Sequence, residues 1–206
     1  MEIINAIVTY FSGFWGMIEL AGTIASLICV YLAVRHNQWT WFFGAIGVIL
    51  FGALFFEFKL YSDAGLQILF FLPVQVWGFY TWRKLAEGSD NDFVVLDMSW
   101  SLIGIVVTVI MAMAAINGFA MTHTDASFPY IDAWTTWMSI AAQILMVKKY
   151  WQSWIFWIAM DTVAIGVYFA KGLFVVSGLY GIFLVIATLG LIEWKRNWNT
   201  QVATSN

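Results

Sequence analysis

The chain has 206 residues, of which 62% are hydrophobic and only 10% charged, with a net charge of −3. An ordinary soluble domain carries about 25% charged residues, so the composition excludes a soluble globular protein and, with so small a charge, nucleic-acid binding. Seven spans of about 20 residues would leave only 66 of the 206 residues, too few for a large extramembrane domain.

Residues 1–16 lack a basic n-region and a small-residue cleavage site, so they read as an interfacial segment rather than a signal peptide. Long apolar stretches follow at 17–34, 41–58, 62–82, 99–120, 133–149, 151–170 and 173–194. Each approaches the roughly 20 residues that a helix needs to cross the hydrocarbon core. The stretches are continuous rather than alternating, which argues against a β-barrel. The polar segment 84–98 and the loop after residue 120 interrupt them, and 197–206 forms a polar tail. Arg35, Arg83, Lys84, Lys148, Lys149, Lys195 and Arg196 fall on one side of this layout, and Lys59 and Lys171 on the other. By the positive-inside rule the C-terminus is cytoplasmic.

A shift of 113 residues aligns Leu32 with Leu145, Val34 with Val147, Trp41 with Trp154, Gly65 with Gly178, Leu66 with Leu179, Phe70 with Phe183 and Arg83 with Arg196. The fold expected is therefore an all-α integral membrane protein with seven transmembrane helices. Residues 17–83 and 121–196 form two parallel three-helix repeats, joined by a central helix at 99–120. Such repeats place a solute site near the midplane.

The residues exclude several intramembrane chemistries. His36 and His123 lie in loops, so no buried imidazole pair can hold haem. No lysine sits mid-span for a retinal Schiff base, and one mid-span carboxylate cannot make an aspartyl-protease dyad. The single Cys29 supports neither a disulfide nor a thiolate metal site. No enzyme, metal or cofactor is expected.

Asp161, near the centre of 151–170, is the exception to the apolar pattern. A mid-membrane carboxylate costs about 2.5–3.5 kcal/mol on insertion scales. It either bonds a neighbouring helix, faces a water- or solute-filled cavity, or couples a proton. Its neighbours favour a cavity: Trp157, Asp161, Ala164 and Tyr168 share one helical face. Asp63, Gln67, Phe71 and Gln75 form a slowly rotating stripe, Ser139 and Gln143 lie on the fifth span, and Gln67 meets Tyr180 under the 113-residue shift. Membrane amides also act as glue between helices. Trp39, Trp82, Trp151, Trp194 and Trp198 suit an interfacial belt, whereas Trp41, Trp154 and Trp157 suit it less. Flat aromatic faces beside a carboxylate and amides fit a planar, cationic ring with polar arms, and would also fit a sugar. The candidate binding residues are Trp41, Gln67, Gln75, Gln143, Trp157, Asp161, Tyr168 and Tyr180. Gly44, Gly47 and Gly52 allow close helix packing or a hinge, and Pro73 is placed to kink the third span.

The stretch Arg35-His36-Asn37-Gln38-Trp39-Thr40-Trp41, Gly44, Leu60-Tyr61-Ser62-Asp63, Gln67, Gln75, Trp77-Gly78 and Trp82 resembles the PnuC family of nicotinamide riboside transporters. So do Gln143, Trp154-Ile155-Phe156-Trp157, Asp161, Lys171-Gly172-Leu173, Leu179-Tyr180 and Trp194. Phe42 departs from the family pattern, which often has a proline there. The resemblance implies a three-plus-one-plus-three fold similar to the SWEET sugar transporters, a homotrimer in the bacterial inner membrane, and facilitated diffusion of nicotinamide riboside sustained by cytosolic phosphorylation. A sugar uniporter and a non-transporting sensor or scaffold are the alternatives. A sensor would need a signalling domain or partner motif, and the short tail shows neither.

Overall fold

The computed structural model describes residues 12–58, 61–87, 94–124, 128–170 and 174–204. Most of the expected interfacial segment 1–16, together with Lys59, Lys171 and the stretch 88–93, lies outside them. The described residues are helical apart from short turns and one isolated parallel bridge, Leu96 to Tyr150. The chain divides into two compact units, Met1–Asn91 and Asp92–Asn206.

The first unit contains α1 (Phe14–Val34), α2 (Thr40–Glu57), and a continuous rod of α3 (Tyr61–Leu66), a π-helical turn π1 (Gln67–Phe71) and α4 (Leu72–Glu87). α2 packs against both α1 and the rod. Small residues make this possible. A Cβ on Gly47 would lie 2.8 Å from the Ser26 hydroxyl of α1, and one on Gly52 would lie 2.8 Å from Ile68 of π1. The glycines of α2 thus serve close packing.

The π turn has a local cause. Pro73 has no N–H, and its ring would clash with the carbonyl four residues earlier in a regular α-helix. The chain instead widens just before it, so that the Leu72 N–H reaches the Gln67 carbonyl five residues back.

The second unit contains α5 (Trp100–Met121), α6 (Pro129–Val147), α7 (Ser153–Ala170) and α8 (Phe174–Thr204). α7 packs against α6 and α8, and α5 packs against α6. On α5 only Ile110, Ala114 and Gly118 are buried, a single stripe four residues apart. Leu102, Ile103 and Val106 pack partly against the core of this unit, whereas other large apolar side chains, including Trp100 and Ile116, face outward, as expected where lipid rather than water is the solvent. α8 has 31 residues, about 46 Å at 1.5 Å per residue. It therefore outruns the ~30 Å hydrocarbon core, and residues 197–204, read from hydropathy as tail, continue the helix.

Among the described residues, six helical stretches are long and apolar enough to cross a membrane: Phe14–Val34, Thr40–Glu57, Asp63–Lys84, Trp100–Met121, Ser153–Ala170 and Val176–Thr204. α6 is not among them. It carries Asp132, Thr135, Thr136, Ser139 and Gln143, which lower its hydropathy.

The turns after α1 and α6 are built alike. His36 and Lys149 are the two described non-glycine residues with positive φ, 56° and 62°. Asn37 N–H donates to Leu32 O and His36 N–H to Ala33 O, while Tyr150 N–H donates to Leu145 O and Lys149 N–H to Met146 O. Both are Schellman motifs. Among the described residues only the second carries a strap. Leu96 N–H donates to Lys149 O, and Trp151 N–H donates back to Leu96 O. The Asp97 carboxylate accepts from Trp151 Nε1 at 2.8 Å and Gln152 Nε2 at 2.6 Å. Gln201 Oε1 on α8 accepts from Val95 N–H.

Candidate solute-binding site

In the first unit Trp41 and Gln75 come together. Trp41, at the start of α2, is 2% exposed. Its ring fills the notch left by Gly78 of α4, where a Cβ would collide with the indole. It meets Trp82 edge-on, with ring centroids 5.2 Å apart. Gln75 is 5% exposed. Its amide sits over Gly44, where a Cβ would lie 2.5 Å from Oε1. Both residues line a groove of about 230 Å³ with Phe42, Ala45, Val76, Phe79 and Tyr80. Gln75 Oε1 and Trp41 Nε1 are buried without a hydrogen-bond partner among the described residues.

Gln67 opens the π turn, and its Cβ lies 3.5 Å from where one on Gly52 would be. In an unbroken α-helix, side chains eight residues apart diverge by about 80°. A π turn absorbs one extra residue and reduces this to about 20°. Gln67 and Gln75 therefore face the same neighbour, α2, over Gly52 and Gly44. The polar stripe expected to rotate is straightened at this point.

In the second unit Asp161 is 3% exposed, on the face of α7 that also carries Ala164 and Trp157. Tyr168 and Tyr180 stack at 5.2 Å with planes 17° apart. Their side chains are hydrogen-bonded, and Asp161 is close enough to Tyr180 to act on it electrostatically. Trp157, Tyr168 and Tyr180 all pack on the cluster of Met138, Ala142, Phe156, Met160 and Ala164. Gln143 is buried on α6. Ser139 bonds its own helix through Thr136 O. A residue that sequence reasoning missed is Trp137. Its Nε1 is buried without a partner among the described residues, and its ring packs on the same cluster. It lies near the start of the expected span 133–149, and no sequence signal set it apart.

Trp154 repeats the environment of Trp41. It is 1% exposed, fills the notch of Gly190, and meets Trp194 edge-on at 5.7 Å. No group of three or more His, Cys, Asp or Glu that could hold a metal occurs among the described residues.

Membrane-length helices with a buried carboxylate, buried amides and a partly buried tyrosine pair along them define a solute carrier of the membrane. The family model described as nicotinamide mononucleotide transporter matches residues 16–196, and the chain belongs to that family. The nicotinamide riboside transporter PnuC of Escherichia coli (strain K12) is 28% identical over 202 residues, covering 86% of this chain and 84% of that protein. The transporter of the same name from Neisseria mucosa is 28% identical over 185 residues, covering 84% and 70%. The riboflavin/roseoflavin transporter RibM of Streptomyces davaonensis is 26% identical over 185 residues, covering 85% and 83%. A crystal structure of the vitamin B3 transporter PnuC matches with a TM-score of 0.73 at 25% identity, covering 96% of this chain and 88% of that one.

Proposed function

We propose that this chain carries nicotinamide riboside across the bacterial inner membrane by facilitated diffusion, with cytosolic phosphorylation trapping the solute. The observation that carries the reading is Asp161, buried mid-helix beside the stacked Tyr168–Tyr180 pair, in a chain whose relatives bear that transporter's name. A mid-membrane carboxylate needs a partner, and a pyridinium ring with ribose hydroxyls supplies both a positive charge and donors. Trp157 offers a flat face to the ring, and Gln143 offers an amide to the carboxamide and ribose.

The architecture in this reading is seven spans, with α6 as the fifth, arranged as two parallel three-helix repeats joined by α5. The matching turns at His36 and Lys149 and the matching tryptophan clusters support it. The C-terminus is cytoplasmic by the positive-inside rule, and the protein is a homotrimer by resemblance to the family. A flavin is the second reading, favoured by the similarity to RibM. Uptake of both solutes into vesicles holding the purified protein tests the choice. Accumulation of the riboside above its external concentration, in the absence of a kinase, would defeat facilitated diffusion.

A further inference from the structure

The π turn is not required for packing. The second unit builds the same edge-on tryptophan pair and glycine notch on α8, which is α-helical throughout. It does so with one residue fewer: Trp41 to Gly78 is 37 residues and Trp154 to Gly190 is 36. Ahead of the turn the two halves match at a shift of 113, as in Gly65 with Gly178 and Leu66 with Leu179. Beyond it they match at 112, as in Gly78 with Gly190 and Trp82 with Trp194. The extra residue of the first unit thus falls where the helix widens, at Gln67–Phe71.

The widening has a chemical consequence. The Ile68 carbonyl would take the N–H of Leu72 in an α turn or that of residue 73 in a π turn. The Leu72 N–H goes to Gln67 O, and Pro73 has none. Ile68 O is left without a donor from its own helix, mid-span, where water is scarce and an unmet carbonyl is costly. It lies one residue from Gln67, and the Ile68 side chain packs at Gly52 on α2.

We propose that the π turn exists to present the Ile68 backbone carbonyl to the transported solute, as an acceptor for a hydroxyl or amide N–H of a nucleoside. This rests on the solute-carrier reading above. Pro73→Ala restores the missing N–H, and deletion of Leu69, whose side chain is 80% exposed, removes the extra residue and returns the rod to the pattern of α8.

The test is titration of the purified full-length protein and both variants with nicotinamide riboside, a deoxyribose analogue and nicotinic acid riboside. The expected result is about tenfold weaker riboside binding in Pro73→Ala, the size of one hydrogen bond, with thermal stability unchanged or raised. The loss disappears for the analogue that lacks the donor: the deoxy sugar if a hydroxyl is bound, the acid if the amide is bound. Equal losses for all three ligands, or none, overturn the proposal, and Pro73→Ala alone decides it if the deletion fails to fold. If the unaltered protein binds no riboside, the proposed function fails instead. The same variants are then titrated with riboflavin, whose imide N–H and ribityl hydroxyls offer the same donors, and an unchanged flavin affinity overturns the carbonyl proposal.

Discussion

His36 and Lys149 hold the same left-handed backbone conformation, φ 56° and 62°, at equivalent ends of α1 and α6. Neither is glycine, so each bears the steric cost of a Cβ close to the following carbonyl. His36→Gly is expected to raise thermal stability by about 1 kcal/mol. His36→Val is expected to lower it by at least as much, because a β-branched residue resists that region. Thermal unfolding in detergent measures both.

The tryptophan notches give a paired prediction. Gly78→Leu and Gly190→Leu drive side-chain atoms into the Trp41 and Trp154 rings. Each is expected to cost about 1–3 kcal/mol, the usual penalty of overpacking. In a Trp41→Ala background the Gly78→Leu penalty vanishes, while that of Gly190→Leu persists. Unfolding midpoints of the single and double variants separate the two sites.

The strap at 94–98 is held by backbone bonds at Leu96, by Gln201 and by the Asp97 carboxylate. Asp97→Ala leaves the buried Gln152 amide without the acceptor now 2.6 Å away. The expected cost is about 1–3 kcal/mol, with faster amide exchange at Leu96 and Trp151. Asp97→Asn keeps an acceptor oxygen and loses less.

Lys149 predicts a pH dependence. It lies in the turn beyond α6, 5% exposed, and burial lowers its ammonium from 10.5 to about 8. Below about 8 it is protonated both folded and unfolded, and the burial penalty stands in full. Between about 8 and 10.5 only the unfolded chain holds the proton, so stability rises with pH across that window. Lys149→Met is expected to flatten the rise, as read from unfolding midpoints between pH 7 and 10.5.

Much of this was legible in the sequence because lipid demands long apolar helices and penalises every exception. Asp161 stood out for that reason, and the structure buries it within electrostatic reach of Tyr180. The register slip was harder to see. A shift of 113 pairs Arg83 with Arg196, whereas the tryptophan clusters pair Trp82 with Trp194 and hence Arg83 with Lys195. Both partners are basic, so residue chemistry could not choose between them. Pro73 signalled a disturbance in the helix without saying whether the backbone would bend or widen. The strap was invisible, because Leu96 meets Tyr150 only through tertiary folding. Hydropathy also ended the last span at 194 while α8 runs to Thr204, since loss of apolar character marks the membrane edge rather than the end of a helix.

Asp161 is proposed to hold the transported riboside. Titration of nicotinamide riboside into purified protein and into Asp161→Asn tests it most directly. Saturable binding by the unaltered protein is expected, with at least tenfold weaker binding in the variant, as for loss of a charge-assisted contact. Equal affinity in the two, or no riboside binding beside tight riboflavin binding, would contradict it.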